Sequence, residues 1–286
     1  MPREIGFRLV DVFTPRPLAG NQLCVIPEPG DLDPDAMLAL TREIGFSETT
    51  FVTETRPEGY TVRIFSPDAE MPFAGHPTLG TAFVLVSEGR VRSPAIQVVI
   101  AGEIPVEVDV RGRFAWMTQL PPVFHEPYGD LELLARAIGL GPGDLATGLP
   151  VQKVSTGLPP LIVPIRDLET LRGARLDQRF AAEVCEASGS EELYLFAIHE
   201  GGVTARFFGP TESILEDPAT GSAAGPLGAY LARHALAGMP GRVLVHQGGQ
   251  VGRPSELHVE VDPDGESWRV RVGGGVHMVG HGVFTL

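Results

Sequence analysis

Gly59-Tyr60-Thr61-Val62-Arg63-Ile64-Phe65-Ser66-Pro67 and Gly202-Val203-Thr204-Ala205-Arg206-Phe207-Phe208-Gly209-Pro210 follow one pattern, G-x-T-x-R-x-F-x-P. They lie 143 positions apart (202 minus 59), half of the 286-residue chain. The match spreads outward. Upstream, Leu32-Asp33 opens a helical stretch ending at Gly45, followed by Ser47-Glu48-Thr49-Thr50-Phe51-Val52. In the second half Leu176-Asp177 opens a helical stretch ending at Gly189, followed by Glu191-Glu192-Leu193-Tyr194-Leu195-Phe196. Downstream, Ala74-Gly75-His76-Pro77-Thr78-Leu79-Gly80 corresponds to Ala219-Thr220-Gly221-Ser222-Ala223-Ala224-Gly225, with two extra residues in the second copy. Three matched segments in one order at nearly one offset mark an internal duplication.

Each half reads as strands around a helix. Phe7 to Phe13, Leu23 to Ile26, Thr49 to Val52 and Tyr60 to Phe65 are rich in Val, Ile, Leu and Phe, as strands are. Met37, Leu38, Leu40 and Ile44 fall at helical spacing. A helix begins near Pro77, since proline suits a first helical turn. Further strands are expected over Gln97 to Ile100, Ile104 to Val110 and Phe114 to Thr118. The helices 77–87 and 220–233 carry many Gly, Ala and Thr residues. Glycine inside a helix costs about 1 kcal/mol relative to alanine, so these helices are expected to be enclosed by sheet on all sides. The fold class is therefore α+β: two similar lobes, each a β-barrel-like sheet wrapped around a central helix. The lobes are expected at 1–125 and 126–286, with the C-terminal strand 276–286 a candidate to complete the first. The link between halves is expected around Gly139 to Thr156.

Composition excludes several functions. The chain has 36 acidic and 22 basic residues and a net charge of −14. Nucleic acid is not an expected partner, because phosphate binding depends on clustered Lys and Arg. No apolar run approaches the ~20 residues of a membrane helix. The opening Met1-Pro2-Arg3-Glu4-Ile5-Gly6 lacks the apolar stretch of a signal peptide, so a cytoplasmic location is expected. Cys24 and Cys185 are far apart and read as small core residues. His277 and His281 stand in a glycine-rich run that reads as strand, which makes a helical metal pair doubtful, and no metal site is expected.

Chemistry concentrates at the two turns before the central helices. Both aim backbone N–H groups and a positive dipole end outward, an anion site that needs no Arg or Lys. If equivalent turns face each other across a cleft, they would stabilise an enediolate-like charge as it develops. Ordinary capping by Thr220 or Ser222 is the alternative. His76 aligns with Gly221, and Asp217 with Pro72, so titratable groups stand where the copies diverge. A His and a carboxylate can serve as an acid/base or orienting pair. Glu48 opens a strand among Phe46, Thr49, Thr50, Phe51 and Val52. A carboxylate in such surroundings is expected to have a raised pKa and to act as a base near neutral pH. Glu192, its copy, argues for the opposite reading, a structural role kept twice.

These residues resemble the PhzF-like (phenazine biosynthesis isomerase) family of the diaminopimelate-epimerase-like fold. The resemblance runs through Asp11-Val12-Phe13-Thr14 with Gly20-Asn21, Gly45 to Val52, Phe73-Ala74-Gly75-His76-Pro77-Thr78-Leu79-Gly80, Glu216-Asp217-Pro218-Ala219-Thr220-Gly221-Ser222-Ala223, and Val272-Gly273-Gly274 with Val279-Gly280. It covers essentially the whole chain. The resemblance implies a cofactor-independent isomerase, without metal, that forms a homodimer. It implies that Glu48 moves the proton, that His76 and Asp217 hold or protonate the substrate, and that Gly75, Gly221 and Ser222 bind its carboxylate, with Asn21 nearby. In the amino-acid epimerase branch of the fold, two cysteines work from these turns. Here the matching positions are Ala74 and Ala219, which favours one carboxyl base shuttling a proton within a small carboxylate, cyclic amino carboxylates included. An epimerase with a carboxyl base and a non-catalytic binding protein on the same scaffold remain the alternatives.

Overall fold

The computed structural model describes residues 3–210 and 213–286. Met1 and Pro2, from the leading stretch, and Thr211 and Glu212, from the longer approach of the second copy, lie outside the described residues. The chain divides into two compact units: Met1–Gln119 with Val272–Leu286, and Leu120–Arg271.

The first unit carries β1 (Glu4–Val12), β2 (Asn21–Ile26), α1 (Pro34–Ile44), β3 (Glu48–Arg56), β4 (Gly59–Phe65), β5 (Glu70–Met71), α2 (Gly75–Ser87), β6 (Ala95–Val99), β7 (Gly102–Asp109) and β8 (Phe114–Thr118). The second carries β9 (Val123–Pro127), α3 (Leu131–Ala137), β10 (Gln152–Ser155), β11 (Leu161–Pro164), α4 (Leu168–Gly173), α5 (Gln178–Ser188), β12 (Leu193–His199), β13 (Gly202–Phe208), β14 (Glu216–Asp217), α6 (Gly221–Arg233), β15 (Gly241–Gln247) and β16 (Ser255–Asp264). The last strand, β17 (Ser267–Thr285), begins in the second unit and ends in the first.

In the first unit β1, β2, β3, β4, β6, β7, β8 and β17 pair in succession, and β17 pairs back onto β1. That is a closed eight-stranded barrel, an arrangement that leaves no free sheet edge. Its central helix is α2, buried from Gly75 to Leu85 and packed against β1, β2, β3, β6, β7 and β8. The second unit repeats the order. The pairs β1–β2, β2–β3, β3–β4, β4–β6 and β6–β7 run antiparallel, parallel, antiparallel, parallel and antiparallel. So do β10–β11, β11–β12, β12–β13, β13–β15 and β15–β16. The central helix α6 is buried from Gly221 to Ala232.

Small residues let sheet backbone approach these helices. A Cβ added at Gly80 would collide with Leu23, Val10 and Val12, and one at Gly228 with Val259. The outer helices are also built alike. Asp33 accepts from the Ala36 amide at the start of α1, and Gly45 ends it in the left-handed region at φ 70. Asp177 accepts from the Arg179 and Phe180 amides at the start of α5, and Gly189 ends it at φ 64. Both are ordinary cap chemistry.

The repeated R-x-F has a structural cause. Arg63 holds Glu70 of β5 (Nε to Oε1 2.7 Å) and lies over the Phe65 ring at 5.1 Å. Arg206 holds Glu216 of β14 through two hydrogen bonds, 2.9 and 2.8 Å, and lies over the Phe208 ring at 4.8 Å. In each unit the arginine therefore ties the short strand that leads into the turn before the central helix.

Two expectations are corrected. The segment Gly139 to Thr156 is not a link, because it contains β10. The division comes instead at Gln119, a little before the expected 125/126, because β9 pairs with β10 and so belongs to the second unit. The alignment at the turns also shifts. Ile64 pairs with Met71, and Phe207 with Asp217. Asp217 thus matches Met71 rather than Pro72, an offset of 146 (217 minus 71) against 143 for the repeat (207 minus 64). The second copy has three extra residues (146 minus 143), not two. The helix starts keep this offset, so Gly75 matches Gly221, His76 matches Ser222, and Ala74 matches Thr220. Strand pairing fixes a register that a comparison of small residues could not.

Candidate active site

In the first unit three polar side chains meet at the start of α2. Asn21 begins β2, Glu48 begins β3, and these neighbouring parallel strands bring them to the same end. His76, in the first turn of α2, joins them. The Asn21 amide nitrogen lies 3.0 Å from His76 Nδ1, and His76 Nε2 lies 3.3 Å from Glu48 Oε2. Ser47 Oγ reaches Asn21 Oδ1 at 3.5 Å. The His76 side chain is 4% exposed and that of Glu48 16%. Burial pushes the His76 imidazole down to about 3, against a smaller opposing effect of a hydrogen bond with the Gln22 backbone. His76 is therefore neutral at physiological pH. Because the Asn21 amide nitrogen can only donate to Nδ1, the ring proton lies on Nε2, and His76 faces Glu48 as an uncharged N–H donor.

Gly75 and His76 form the first turn of α2, preceded by Ala74, which offers no side-chain cap. The helix start carries the positive end of the helix dipole.

In the second unit Asp217 ends β14, and Gly221 and Ser222 open α6. All three are buried. Thr220 stands at the N-cap position but does not cap: its hydroxyl donates to Asp217 Oδ2 at 2.6 Å. Gln247, at the end of β15, donates from Nε2 to the Asp217 carbonyl at 2.8 Å and to Thr220 Oγ1 at 3.0 Å. Its Oε1 accepts from the Tyr194 hydroxyl at 2.8 Å and from the Thr220 amide at 3.3 Å.

The structure thus brings Asn21, Glu48, His76 and Gly75 together in the first unit, and Asp217, Gly221 and Ser222 in the second. The sequence does not single out Ser47, Tyr194 or Gln247, and the capping alternative for Thr220 is not what the structure shows. Gln247 left one signal, a polar side chain ending an apolar strand just before Gly248-Gly249. Cys24 is fully buried, with its thiol pushed up to about 12 by burial, which suits an inert core residue. Among the described residues, no three His, Cys, Asp or Glu side chains cluster as metal ligands. Among the described residues no helix is long and apolar enough to cross a membrane.

A probable proline racemase from Agrobacterium radiobacter has this fold at a TM-score of 0.69 and 13% identity, over 97% of this chain and 92% of that one. At that identity the likeness is one of fold alone. The chain belongs to the phenazine biosynthesis-like (PhzC-PhzF) family, whose model matches residues 10–282. The trans-2,3-dihydro-3-hydroxyanthranilate isomerase of Pseudomonas fluorescens is 32% identical over 98% of this chain and 99% of its own length. The structure of a predicted epimerase from Pseudomonas aeruginosa matches at a TM-score of 0.86 and 33% identity, over 98% and 99% of the two chains. The chain is an enzyme, an isomerase of this family.

Proposed function

We propose that this isomerase moves a proton between two carbons of a small carboxylate substrate, with Glu48 taking the proton and returning it. The observation that carries the reading is the placement of Glu48 Oε2 3.3 Å from the buried His76 Nε2 at the start of an uncapped helix. A base that must also act as acid cannot be locked in one state. With Asn21 donating to Nδ1, the neutral imidazole carries its proton on Nε2 and turns that N–H toward Glu48 without a full charge that would hold the carboxylate ionised. An imidazolium would favour the ionised form alone. In this reading Asn21 orients the imidazole, and Asp217 holds or protonates the substrate. The substrate carboxylate is bound by backbone N–H groups around Gly75, Gly221 and Ser222, where helix dipoles favour an anion. No metal or organic cofactor takes part, the protein is cytoplasmic, and it works as a homodimer.

The isomerase relative from Pseudomonas fluorescens makes a cyclic amino carboxylate, of the dihydro-hydroxyanthranilate type, the first substrate to try. The test is incubation of such compounds in deuterated water with NMR of the product, repeated after exhaustive chelation. Deuterium should enter one carbon as hydrogen leaves another, with the same rate in the chelated protein. Loss of activity on chelation with recovery on adding a divalent ion would refute the cofactor-free mechanism. Deuterium at a single inverted stereocentre would make the enzyme an epimerase instead.

A further inference from the structure

We propose that Gln247 is the positioning residue of the second unit: through Thr220 it fixes the orientation of the Asp217 carboxylate. The inference rests on the reading that Asp217 acts on substrate. Its geometry stands apart from that reading.

Gln247 is 3% exposed and Tyr194 is fully buried. A glutamine amide has two N–H donors and two acceptor positions on its oxygen. All four are occupied by the bonds to the Asp217 carbonyl, Thr220 Oγ1, the Tyr194 hydroxyl and the Thr220 amide. This allows one amide orientation only, since a flipped amide would set N–H groups against the Thr220 amide. The direction of the chain follows. Burial, and then the Asp217 charge, push the Tyr194 hydroxyl well above its ordinary value, so it stays protonated and donates to Gln247. Gln247 donates to the Thr220 oxygen, which leaves the single Thr220 hydrogen for Asp217 Oδ2. The relay runs one way and ends on a carboxylate, where a hydrogen bond is strongest. The backbone after Gln247 is pressed onto the same turn: a Cβ at Gly248 would collide with the Pro218 carbonyl, and its φ of +77 suits glycine.

The first unit contains the same device from different residues. The Tyr60 hydroxyl donates to Gln97 Oε1 (2.9 Å), Gln97 Nε2 to Thr78 Oγ1 (2.6 Å), and Thr78 Oγ1 to the Ala74 carbonyl (2.8 Å). The residues do not stand at matched positions in the two units. Tyr60 pairs with Gln97 and Val203 with Val245, so Gln247 stands two residues further along the equivalent strand. Tyr194, across from Phe207, matches Thr50, across from Ile64. Each unit thus holds a Tyr–Gln–Thr chain at the start of its central helix, built from positions that do not match. Only the second ends on a carboxylate.

The test compares four variants with wild type. Gln247→Met keeps the volume and removes all four hydrogen bonds. Thr220→Val removes the hydroxyl, Thr220→Ser keeps it, and Tyr194→Phe removes the outer end of the relay. Two readouts are taken at a temperature where every variant is folded: amide exchange at Thr220, which needs no substrate, and the separate values of kcat and KM. Gln247→Met should speed Thr220 exchange about fivefold, the factor for losing one hydrogen bond of ordinary strength. It should lower kcat on the order of ten- to a hundredfold with KM within about threefold, as misplacement of a catalytic group does. Thr220→Val should reproduce the kcat loss, Thr220→Ser should restore kcat, and Tyr194→Phe should lie between wild type and Gln247→Met. Unchanged exchange in Gln247→Met, or a Thr220→Ser variant as slow as Thr220→Val, would overturn the proposal. A loss confined to KM would do the same. Faster exchange with full kcat in both Gln247→Met and Thr220→Val would keep the relay as a structural fact but overturn its positioning role. If Glu48→Gln also kept its full rate, the functional reading would fall with it.

Discussion

The two turns before the central helices share a frame and differ in chemistry. Both follow a two-residue strand tied by an arginine, and both open a helix buried along its length. At matched positions, His76 stands where the second unit has Ser222, and Asp217 where the first has Met71. Cys24 pairs with Thr49 and Leu161 with Leu193, so Asn21 matches Leu158, three residues back in each case. Glu48 matches Glu192, which is present in both. A glutamate at the strand start is therefore not enough to define a site. The candidate chemistry lies in what surrounds it: Asn21 and His76 on one side, Leu158 and Ser222 on the other.

This comparison can be broken in several ways. The largest effect is expected at Glu48. Glu48→Gln keeps the shape and removes the proton, and turnover should fall about 10²–10⁴-fold, the usual contribution of general acid–base catalysis. Its fold, followed by circular dichroism, should be unchanged.

The two arginine ties should differ in stability. Arg206 is 5% exposed and Glu216 19%, and the guanidinium also donates to the Leu171 and Ala174 carbonyls at 3.1 and 2.7 Å. Arg206→Leu strands a carboxylate and two carbonyls, and should cost about 3–5 kcal/mol in urea unfolding. Arg63 and Glu70 are 30% and 26% exposed, and solvent weakens their attraction. Arg63→Leu should cost about 1 kcal/mol or less. Equal losses would mean that burial does not decide the worth of these ties.

His76 gives a smaller effect with a defined sign. Its folded value is lowered from 6.5 to about 3. Between those values the unfolded chain binds a proton that the folded chain does not, so stability rises with pH there. The contribution is fully present above about 6.5 and is lost as pH falls toward 3. The slope from this one group is at most about 1.4 kcal/mol per pH unit. His76→Gln should flatten the urea midpoint between pH 7 and 5 relative to wild type. An unchanged slope would place the imidazole's acid sensitivity elsewhere.

The frame was legible in the sequence because duplication writes it twice. Arg63 and Arg206, the capped helices ending at Gly45 and Gly189, and the small-residue central helices all repeat, and each repeat has a local physical cause. Glu48 and His76 stood out as titratable groups among apolar or divergent neighbours. The register at the turns was not legible, because Gly, Ala, Ser and Thr match one another by chance, whereas hydrogen-bonded strands match only one way. Gln247 and Tyr194 were hidden for another reason. They lie 53 residues apart in the chain and act through a hydrogen-bond chain that no local pattern records.

The central claim is that Glu48 moves the proton and its matched copy does not. Solvent-deuterium incorporation into a cyclic amino carboxylate substrate should be compared for wild type, Glu48→Gln and Glu192→Gln. The account predicts incorporation by wild type and by Glu192→Gln within about threefold of each other, and a loss of at least about 100-fold in Glu48→Gln. Equal incorporation by wild type and Glu48→Gln would contradict it.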